Sequence, residues 1–260
     1  MFIVKLGGSV ITDKSKKYIY KKEVVNRLSY EIKKSKKKLI IIHGAGSFGH
    51  ILAEEYKLNH GYKNKKQLEG FSLTRTMVQK LNTMVLDSFQ ENKIPAISIP
   101  PHAILKLKNH KPYKIDYSIF KDSLKKGFTP ITFGDVVLDE KIGFSICSGD
   151  LLVLILAEYF KPEKVIFVLD EDGIYNSNPK SDSSAELISS ITSKELIRLS
   201  TSANSHADVT GGMRGKIDTI KNISKFGIDT ILLNGNKPDR LYKVLIGKDT
   251  IKTIVNGDKI

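Results

Sequence analysis

Three features that define whole classes of protein are scarce in this sequence or missing from it. One cysteine, Cys147, stands among the 260 residues, which excludes a disulfide-stapled scaffold. No apolar run reaches the roughly 18 residues of a membrane span, because the run at residues 151–157 is short and ends before Glu158. The first residues also lack a basic region that leads an apolar stretch, so no signal peptide is predicted. Together these absences predict a cytoplasmic protein in a reducing compartment.

Internal repeats, low-complexity segments and a recognisable linker are likewise missing. With 40% hydrophobic and 27% charged residues, the chain has enough apolar side chains to bury a core without disulfides or a structural metal. Apolar runs of strand length alternate with segments of helical period, which is typical of a parallel sheet covered by helices. The predicted fold is therefore α/β, with an open, mostly parallel sheet sandwiched by helices.

The individual elements follow from this alternation and from the turn residues between the runs. Strands are predicted at residues 2–6, 38–43, 94–98, 129–133, 164–169 and 230–233. Helices are predicted near residues 21–34, 48–56, 72–90, 117–126, 150–160, 193–199 and 213–226, with hairpins at 105–113 and 136–146. We expect two lobes, near residues 1–160 and 161–260, that share one continuous sheet.

The charge balance indicates an anionic partner. The chain carries 42 Lys and Arg against 28 Asp and Glu, a net charge of +14. Such a field attracts nucleic acid, anionic membrane surfaces and phosphorylated small molecules alike. The lysine runs at residues 33–38 and 63–66 have no interleaved aromatic residues for base stacking, so we interpret them as solvated surface. Small-molecule substrates are predicted, with no nucleic-acid and no membrane partner.

Loops rich in glycine close the first two predicted strands, where α/β sheets bind ligands, and two further loops open predicted helices. The backbone N–H groups of such loops can converge on an anion at a helix N-terminus. The four loops are Lys-Leu-Gly-Gly-Ser at residues 5–9, His-Gly-Ala-Gly-Ser-Phe-Gly-His at 43–50, Ser-Gly-Asp at 148–150 and Asp-Val-Thr-Gly-Gly-Met-Arg-Gly-Lys at 208–216. They predict a phosphate-binding site that several loops share.

Neither common nucleotide fingerprint accounts for this site. Gly44, Gly46 and Gly49 satisfy Gly-x-Gly-x-x-Gly after a strand, but a dinucleotide fold would next need a strand with an acidic residue about 20 positions on, which is missing. The Walker A pattern Gly-x-x-x-x-Gly-Lys-Ser/Thr does not occur. If the ligand is a nucleotide, a different arrangement holds its phosphates.

The four loops, together with Leu-Asp-Glu-Asp-Gly-Ile-Tyr at residues 169–175 and Asn-Pro-Lys at 178–180, resemble the amino acid kinase superfamily in kind and order over nearly the whole chain. The resemblance implies one acetylglutamate kinase-like domain at residues 1–260, with an acceptor lobe near 1–160, a nucleotide lobe near 161–260, and a homodimer. It also implies ATP as the phosphoryl donor, with Mg²⁺ bound through the ATP phosphates and no metal site formed by the protein.

Within the superfamily, His50 and the run Ile-Thr-Asp-Lys that ends at Lys14 resemble the isopentenyl phosphate kinase branch. This resemblance implies ATP-dependent phosphorylation of isopentenyl phosphate to isopentenyl diphosphate in the archaeal-type mevalonate pathway of isoprene biosynthesis. Fosfomycin kinase, a relative with a similar histidine, or another small-molecule kinase of the family is the alternative. A basic nucleic-acid-binding or regulatory protein on the same fold is the alternative from a different class.

Three lysines are candidate catalytic residues. Lys5 ends a buried strand, where an ammonium group without a functional partner is costly, and the resemblance directs it to the transferring phosphoryl group. Lys14 lies in a polar segment that position alone would assign to the surface, and the resemblance gives it charge stabilisation in the transition state. Lys216 lies in the first turn of a helix, where the dipole disfavours a cation, so we expect it to bind the ATP phosphates.

His50 is the residue that decides the acceptor. Isopentenyl phosphate brings an ionised oxygen nucleophile, so no general base is required and His50 would hydrogen-bond and orient the acceptor phosphate. Asp150 could be a simple helix cap, but the resemblance makes it the acid that organises the catalytic lysines. The other histidines show no metal-ligand spacing and are interpreted as structural or surface residues: His43, His60, His102, His110 and His206.

The candidate site residues form three groups. The catalytic candidates are Lys5, Lys14, His50, Asp150 and Lys216. The nucleotide-binding candidates are Lys5, Gly7, Gly8, Ser9, Gly46, Asp170, Gly212 and Lys216, although Asp170 with Asp172 could equally form an Asx turn. The substrate-binding candidates are Ala45, Gly46, Gly49, His50, Ser148 and Gly149.

The apolar tail of the acceptor requires an apolar pocket near His50. One helical stripe offers a candidate lining, although such a stripe is more often ordinary core: Phe71, Thr74, Met77, Val78 and Leu81.

Overall fold

The computed structural model of the chain describes residues 1–13, 15–177, 179, 181–201 and 211–259. Its strands are β1 (Phe2–Leu6), β2 (Leu39–His43), β3 (Ala96–Ser98), β4 (Leu105–Lys108), β5 (Lys111–Ile115), β6 (Thr129–Phe133), β7 (Asp135–Asp139), β8 (Gly143–Cys147), β9 (Lys164–Leu169), β10 (Ile174–Tyr175), β11 (Leu187–Ile188), β12 (Ser190–Thr192), β13 (Asp229–Asn234) and β14 (Thr253–Asn256). Its helices are α1 (Gly8–Ile11), α2 (Lys22–Ser35), α3 (Gly46–Glu55), α4 (Lys66–Glu91), α5 (Pro101–Ile104), α6 (Ser118–Lys126), α7 (Gly149–Phe160), α8 (Ser193–Thr201), α9 (Gly211–Ser224) and α10 (Arg240–Leu245).

The main sheet confirms the predicted α/β architecture. Within the described residues it has eight strands, in the order β12-β14-β13-β9-β1-β2-β6-β3. Neighbouring strands are parallel except for β13 and β14. Strand β1 pairs with β2 on one side and with β9 on the other, so the carboxyl ends of the three strands lie together.

Successive side chains of β1 point into two hydrophobic cores, one on each face of the sheet. Ile3 packs with buried residues of α7 and α9, whereas Val4 and Leu6 pack with those of α2 and α4. Every residue of β2 is buried as well. The continuous β-branched run in the sequence is thus explained by a strand that helices cover on both faces.

The apolar run at residues 151–157 lies inside helix α7. Leu152, Val153 and Leu156 are buried in the core between this helix and the sheet. Among the helices of the described residues, none combines the length and the apolar character that crossing a bilayer requires.

Helix α4 begins at Lys66, six residues before the start that periodicity indicates. Buried Gln67 explains the difference. Its Oε1 accepts the backbone N–H groups of Lys63 at 2.7 Å and Asn64 at 3.3 Å, so a polar side chain joins the preceding loop to the helix. Position 70 inside this helix is a glycine, and a larger residue would not fit, because a Cβ there would be 2.1 Å from the ring of Tyr56.

Several short elements were not predicted because they are too short to show a period. Strands β10 and β11 have two residues each, and β14 has four. Helix α10 has six residues, and buried Glu31 of α2 accepts the backbone N–H groups of Asp239 and Tyr242 at its start. A contact that joins segments so far apart in the chain leaves no local sequence pattern.

Candidate active site

Two glycine loops lie against each other at the carboxyl ends of β1 and β2. A Cβ on Gly8 would lie 2.9 Å from Gly46 Cα, and a Cβ on Gly44 would lie 2.7 Å from Gly8 N. Gly46 also has φ of +52°, and a Cβ there would lie 2.3 Å from Thr12 Oγ1. The loops can approach this closely because the positions are glycines. They converge at one edge of the sheet, as the sequence predicts.

A carboxylate joins the two described candidate lysines at this edge. Lys5 Nζ donates a hydrogen bond to Asp150 Oδ1, and Lys216 Nζ lies 3.4 Å from the same oxygen. Lys5 and Lys216 are 7% and 8% exposed. The ring of Phe167 lies below both, with its centroid 5.6 Å from Lys5 Nζ and 5.0 Å from Lys216 Nζ. Elements from both halves of the chain thus form one cluster of buried charges.

The electrostatics of this cluster leave the carboxylate ionised and one lysine weakened as a base. Burial alone would raise the pKa of Asp150, but the charges of Lys5 and Lys216 lower it below its usual value. Burial, assisted by the charge of Lys5, lowers the pKa of Lys216 to about 8, although Asp150 opposes the change. Near neutral pH the cluster therefore carries both charges of an ion pair and a second cation that a phosphate can bind.

The structure distinguishes between the two roles considered for Asp150, a helix cap and a partner of the lysines. Ser148 is the N-cap of α7, and its Oγ accepts the N–H of Leu151 at 3.1 Å. Asp150 lies in the first turn and uses its carboxylate for the lysines instead. The capping role thus belongs to Ser148.

The turn after β9 is fixed from two sides. Ser9 Oγ donates to Asp170 Oδ1 at 2.8 Å, which connects the first glycine loop to this turn. Arg240 and Asn234 donate to Asp172 Oδ1 at 2.7 and 2.9 Å, which connects the turn to α10 and β13. Asp170 therefore lies beside the loop that is predicted to bind the nucleotide, and Asp172 has a structural role.

The two glycine loops, the cluster of Lys5, Asp150 and Lys216, and Asp170 line one cleft of about 480 Å³. His50, on α3 after the second glycine loop, lines it and is exposed. The cleft brings together these candidate residues: Lys5, Gly7, Gly8, Ser9, Ala45, Gly46, Gly49, His50, Ser148, Gly149, Asp150, Asp170 and Lys216. Gly212 is the second residue of α9. Lys14 and the loop at residues 208–210 lie outside the described residues, as do Asn178 and Lys180 of the quoted motif.

One end of the cleft is apolar. Thr74 and Val78 of the helical stripe line it. The other members of that stripe belong to the core, since Leu81 is fully buried against α2, Met77 packs against the same core, and the ring of Phe71 lies 5.3 Å from that of Phe144. The rest of the apolar wall was not predicted because no sequence pattern connects its residues with the helical stripe: Ile51, Ala53, Val136, Ile146 and Cys147.

Sequence reasoning also missed polar residues of the cleft. Ser47, Asp135 and Glu171 line it, as do Gly44 and Gly134. Ser47 and Gly44 lie inside the glycine loop at residues 43–50, and Glu171 follows Asp170. These three residues could therefore have been inferred from the candidate residues beside them in the sequence. Nothing local distinguishes Asp135 from other acidic residues that begin a strand.

The histidines outside the cleft occupy different environments. His43 is fully buried, with Nδ1 3.0 Å from Gly44 O and Nε2 3.2 Å from Asn82 Oδ1, and burial lowers its pKa to about 4. His60 is exposed, whereas His206 lies outside the described residues. No cluster of three His, Cys, Asp or Glu that could hold a metal ion occurs in the described part of the chain.

Similarity to known proteins extends over almost the whole chain. Residues 1–234 match the profile of the amino acid kinase family. The chain is 36% identical to the isopentenyl phosphate kinase of Methanothermobacter thermautotrophicus, over 99% of both chains, and 34% identical to that of Methanocaldococcus jannaschii, over 95% of both. A solved isopentenyl phosphate kinase structure has a TM-score of 0.86 at 33% identity and covers 98% of this chain and 100% of its own. The chain belongs to the amino acid kinase family.

Proposed function

We propose that this protein transfers the γ-phosphoryl group of ATP to isopentenyl phosphate and forms isopentenyl diphosphate and ADP. The observation that carries the proposal is a cleft in which Asp150 holds two buried lysines and glycine loops converge, and which His50 and a group of apolar residues also line. The similarity to isopentenyl phosphate kinases over 99% of the chain supports the same acceptor.

The reaction requires positioning and charge neutralisation. An oxygen of the acceptor phosphate attacks the γ-phosphorus, so that one P–O bond forms. The bond from the γ-phosphorus to the oxygen that bridges it to ADP breaks, and ADP leaves with that electron pair. Because the attacking oxygen is already ionised, no side chain has to remove a proton. The cleft therefore contributes by holding both phosphates in line and by offsetting their charge.

Lys5 and Lys216 are the cations that would bind the transferring group. Both are buried, and a charge in a site that excludes water interacts more strongly with a phosphate than an exposed one does. Asp150 holds both ammonium groups on one carboxylate, so their positions are set before the substrates bind. The role of Lys14 in the transition state stays a prediction from the resemblance.

ATP would bind at the end of the cleft where the loops after β1 and β9 meet. Gly7, Gly8 and Ser9 would contact its phosphates together with Gly46, Gly212 and Lys216, and Asp170 would lie beside them. Mg²⁺ would enter as the Mg·ATP complex, since this ion prefers substrate phosphates and water to an all-protein cage. The carboxylates of Asp170 and Glu171, which line the cleft, are the oxygen ligands that fit such a complex.

The acceptor phosphate would bind on the other side of the second glycine loop. His50 would donate to it, together with the backbone of Ala45, Gly46, Gly49 and Gly149. Ser148 can contribute as well, because a hydroxyl that accepts the capping N–H of Leu151 keeps its own O–H to donate. The isopentenyl tail would then occupy the apolar end.

Three further expectations belong to this proposal. We infer a homodimer in the cytoplasm from the resemblance and the composition. The chain would act as one amino acid kinase domain over residues 1–260. In it, residues 1–160 would supply the acceptor lobe and residues 161–260 the nucleotide lobe.

The test is ADP release from Mg·ATP with isopentenyl phosphate, dimethylallyl phosphate, fosfomycin, glutamate, aspartate and UMP in parallel, with the product identified by phosphorus NMR. We expect rapid turnover of isopentenyl phosphate and a new diphosphate signal. Preferential turnover of fosfomycin or an amino acid would support the alternative within the family. No turnover, with salt-dependent binding of polynucleotides, would instead support the basic binding protein.

A further inference from the structure

Two polar atoms at the apolar end of the cleft cannot form hydrogen bonds with a hydrocarbon tail. Thr74 and Asp135 line the cleft and are 2% and 3% exposed. Thr74 Oγ1 and Asp135 Oδ2 have no hydrogen-bond partner among the residues that the structure describes. A buried polar atom without a partner costs free energy, so a ligand that supplies the missing hydrogen bond is favoured there.

Asp135 lies next to the region assigned to the acceptor phosphate. A Cβ on Gly134 would lie 3.3 Å from Gly149 N and 3.5 Å from Ala45 N, which places Gly134 between two loops of that region. Asp135 follows it directly, as the first residue of β7. Asp135 is therefore the next residue after the point where these two loops meet.

Thr74 belongs to helix α4. It precedes Val78 by one turn of α4, and a Cβ on Gly49 of the second glycine loop would lie 2.8 Å from Val78 Cγ1. Helix α4 also packs against β7, the strand that begins with Asp135. Thr74 and Asp135 thus come from two elements that pack against each other and that both line the cleft.

The surroundings of Asp135 allow it to donate or to accept a hydrogen bond. Its Oδ1 accepts the N–H of Val136 at 2.8 Å, while His102 Nδ1 lies 3.6 Å from Oδ2, beyond hydrogen-bond distance. Burial raises the pKa of Asp135 to about 7, although the charge of Arg75, the neighbour of Thr74, opposes the rise. Burial and Arg75 also lower the pKa of His102, so its ring is mostly neutral.

We propose that the cleft also binds and phosphorylates monophosphates whose short branched tail carries a hydroxyl, and that Thr74 and Asp135 hydrogen-bond this hydroxyl. The inference rests on the proposed function for the position of the phosphate. Phosphoryl transfer is the same as for isopentenyl phosphate: the acceptor phosphate oxygen bonds to the γ-phosphorus, ADP leaves, and the tail hydroxyl takes no part. Val78, Val136 and Ile146 keep the remaining wall apolar, so the rest of the tail must be hydrocarbon.

The test compares two ligands of nearly equal volume by calorimetry. In 3-hydroxy-3-methylbutyl phosphate the branch carries a hydroxyl, and in 3,3-dimethylbutyl phosphate a methyl group replaces it. We expect wild type to bind the hydroxylated ligand at least as tightly as the other. Thr74→Val or Asp135→Leu should lower the affinity for the hydroxylated ligand, relative to the dimethyl ligand, by about fivefold or more, because each removes a hydrogen-bond partner. Asp135→Asn keeps a polar partner and should largely preserve the ratio.

If the ratio of the two affinities changes by less than about fivefold in both Thr74→Val and Asp135→Leu, the inference is overturned. It is also overturned if wild type binds the hydroxylated ligand more weakly than the dimethyl ligand. Thermal melting verifies that each variant is folded, and the nearly isosteric Thr74→Val decides the test if Asp135→Leu does not fold. Turnover of isopentenyl phosphate by the same wild-type sample separates the two proposals. Its absence contradicts the proposed function, whereas an unchanged affinity ratio contradicts only the role of the two polar residues.

Discussion

Asp150 balances the charges of the cleft, so its neutralisation has a specific expected effect. In Asp150→Asn, the buried ammonium groups of Lys5 and Lys216 face each other without a counter-charge. We expect kcat for ADP release to fall by about 10²–10³-fold, the usual effect of disturbing electrostatic stabilisation of a transition state. Glu158→Gln, an exposed change on the same helix, is the matched control and should stay near wild type. An Asp150→Asn variant with wild-type kcat would contradict the role of this cluster.

The lowered pKa of Lys216 predicts how the use of ATP depends on pH. Its pKa is lowered to about 8, so it is protonated below this pH and loses its charge as the pH rises through it. We therefore expect kcat/KM for ATP to fall above about pH 8. Lys216→Arg keeps its charge throughout this range, so the decline should disappear from its profile even if the variant is slower. The same decline in both profiles would show that another group titrates.

The residues of the site could be predicted to different extents. Glycine loops and lysines at predicted strand and helix ends were visible in the sequence because the rules of ligand binding by α/β sheets apply to them. The pairing of Asp150 with the lysines left no local pattern, since Lys5 is 145 residues away in the chain and Lys216 is 66 away, and it was expected only from the resemblance. Asp135 gave no signal at all, because its burial depends on packing between α4 and β7.

Helices α3 and α4, which both line the apolar end of the cleft, pack closely against each other at Gly49. A Cβ on Gly49 would lie 2.6 Å from Ala45 Cβ and 2.8 Å from Val78 Cγ1, which forces the two helices apart. We expect Gly49→Ala to lower the free energy of unfolding by about 1–3 kcal/mol, measured by urea denaturation. Gly215→Ala is the control, because no atom lies within 4 Å of its Cβ position in α9, and it should stabilise the protein by about 0.5–1 kcal/mol. Equal effects of the two substitutions would contradict the close approach of the helices.

Elements with a full period were predictable, and their ends were less so. The strands β1, β2, β6 and β9 were located almost to the residue, since a buried parallel strand is a continuous apolar run. The predicted start of α4 was wrong by six residues because Gln67, a buried polar residue in its first turn, breaks the apolar period. Helix α10 and strand β14 were missed because their positions depend on contacts with distant segments.

At the scale of the whole molecule, the alternation of strands and helices was sufficient to predict the architecture. It also predicted that the first two glycine loops meet, because they follow strands whose carboxyl ends share one edge of the sheet. The apolar end of the cleft was beyond this reasoning. Residues of α3, α4, β7 and β8 build it, and only the folded chain brings these elements together.

The most direct test of the account is kcat/KM for isopentenyl phosphate, measured with saturating Mg·ATP in wild type, His50→Ala and His60→Ala. His60 is exposed in the turn Leu58–His60 and serves as the matched histidine control. We predict efficient turnover by wild type and by His60→Ala, and a decrease of about 10–100-fold in His50→Ala, the effect of losing a charge-assisted hydrogen bond to the acceptor phosphate. Equal activity of the two variants would contradict the role of His50, and a wild type that does not phosphorylate isopentenyl phosphate would contradict the proposed function.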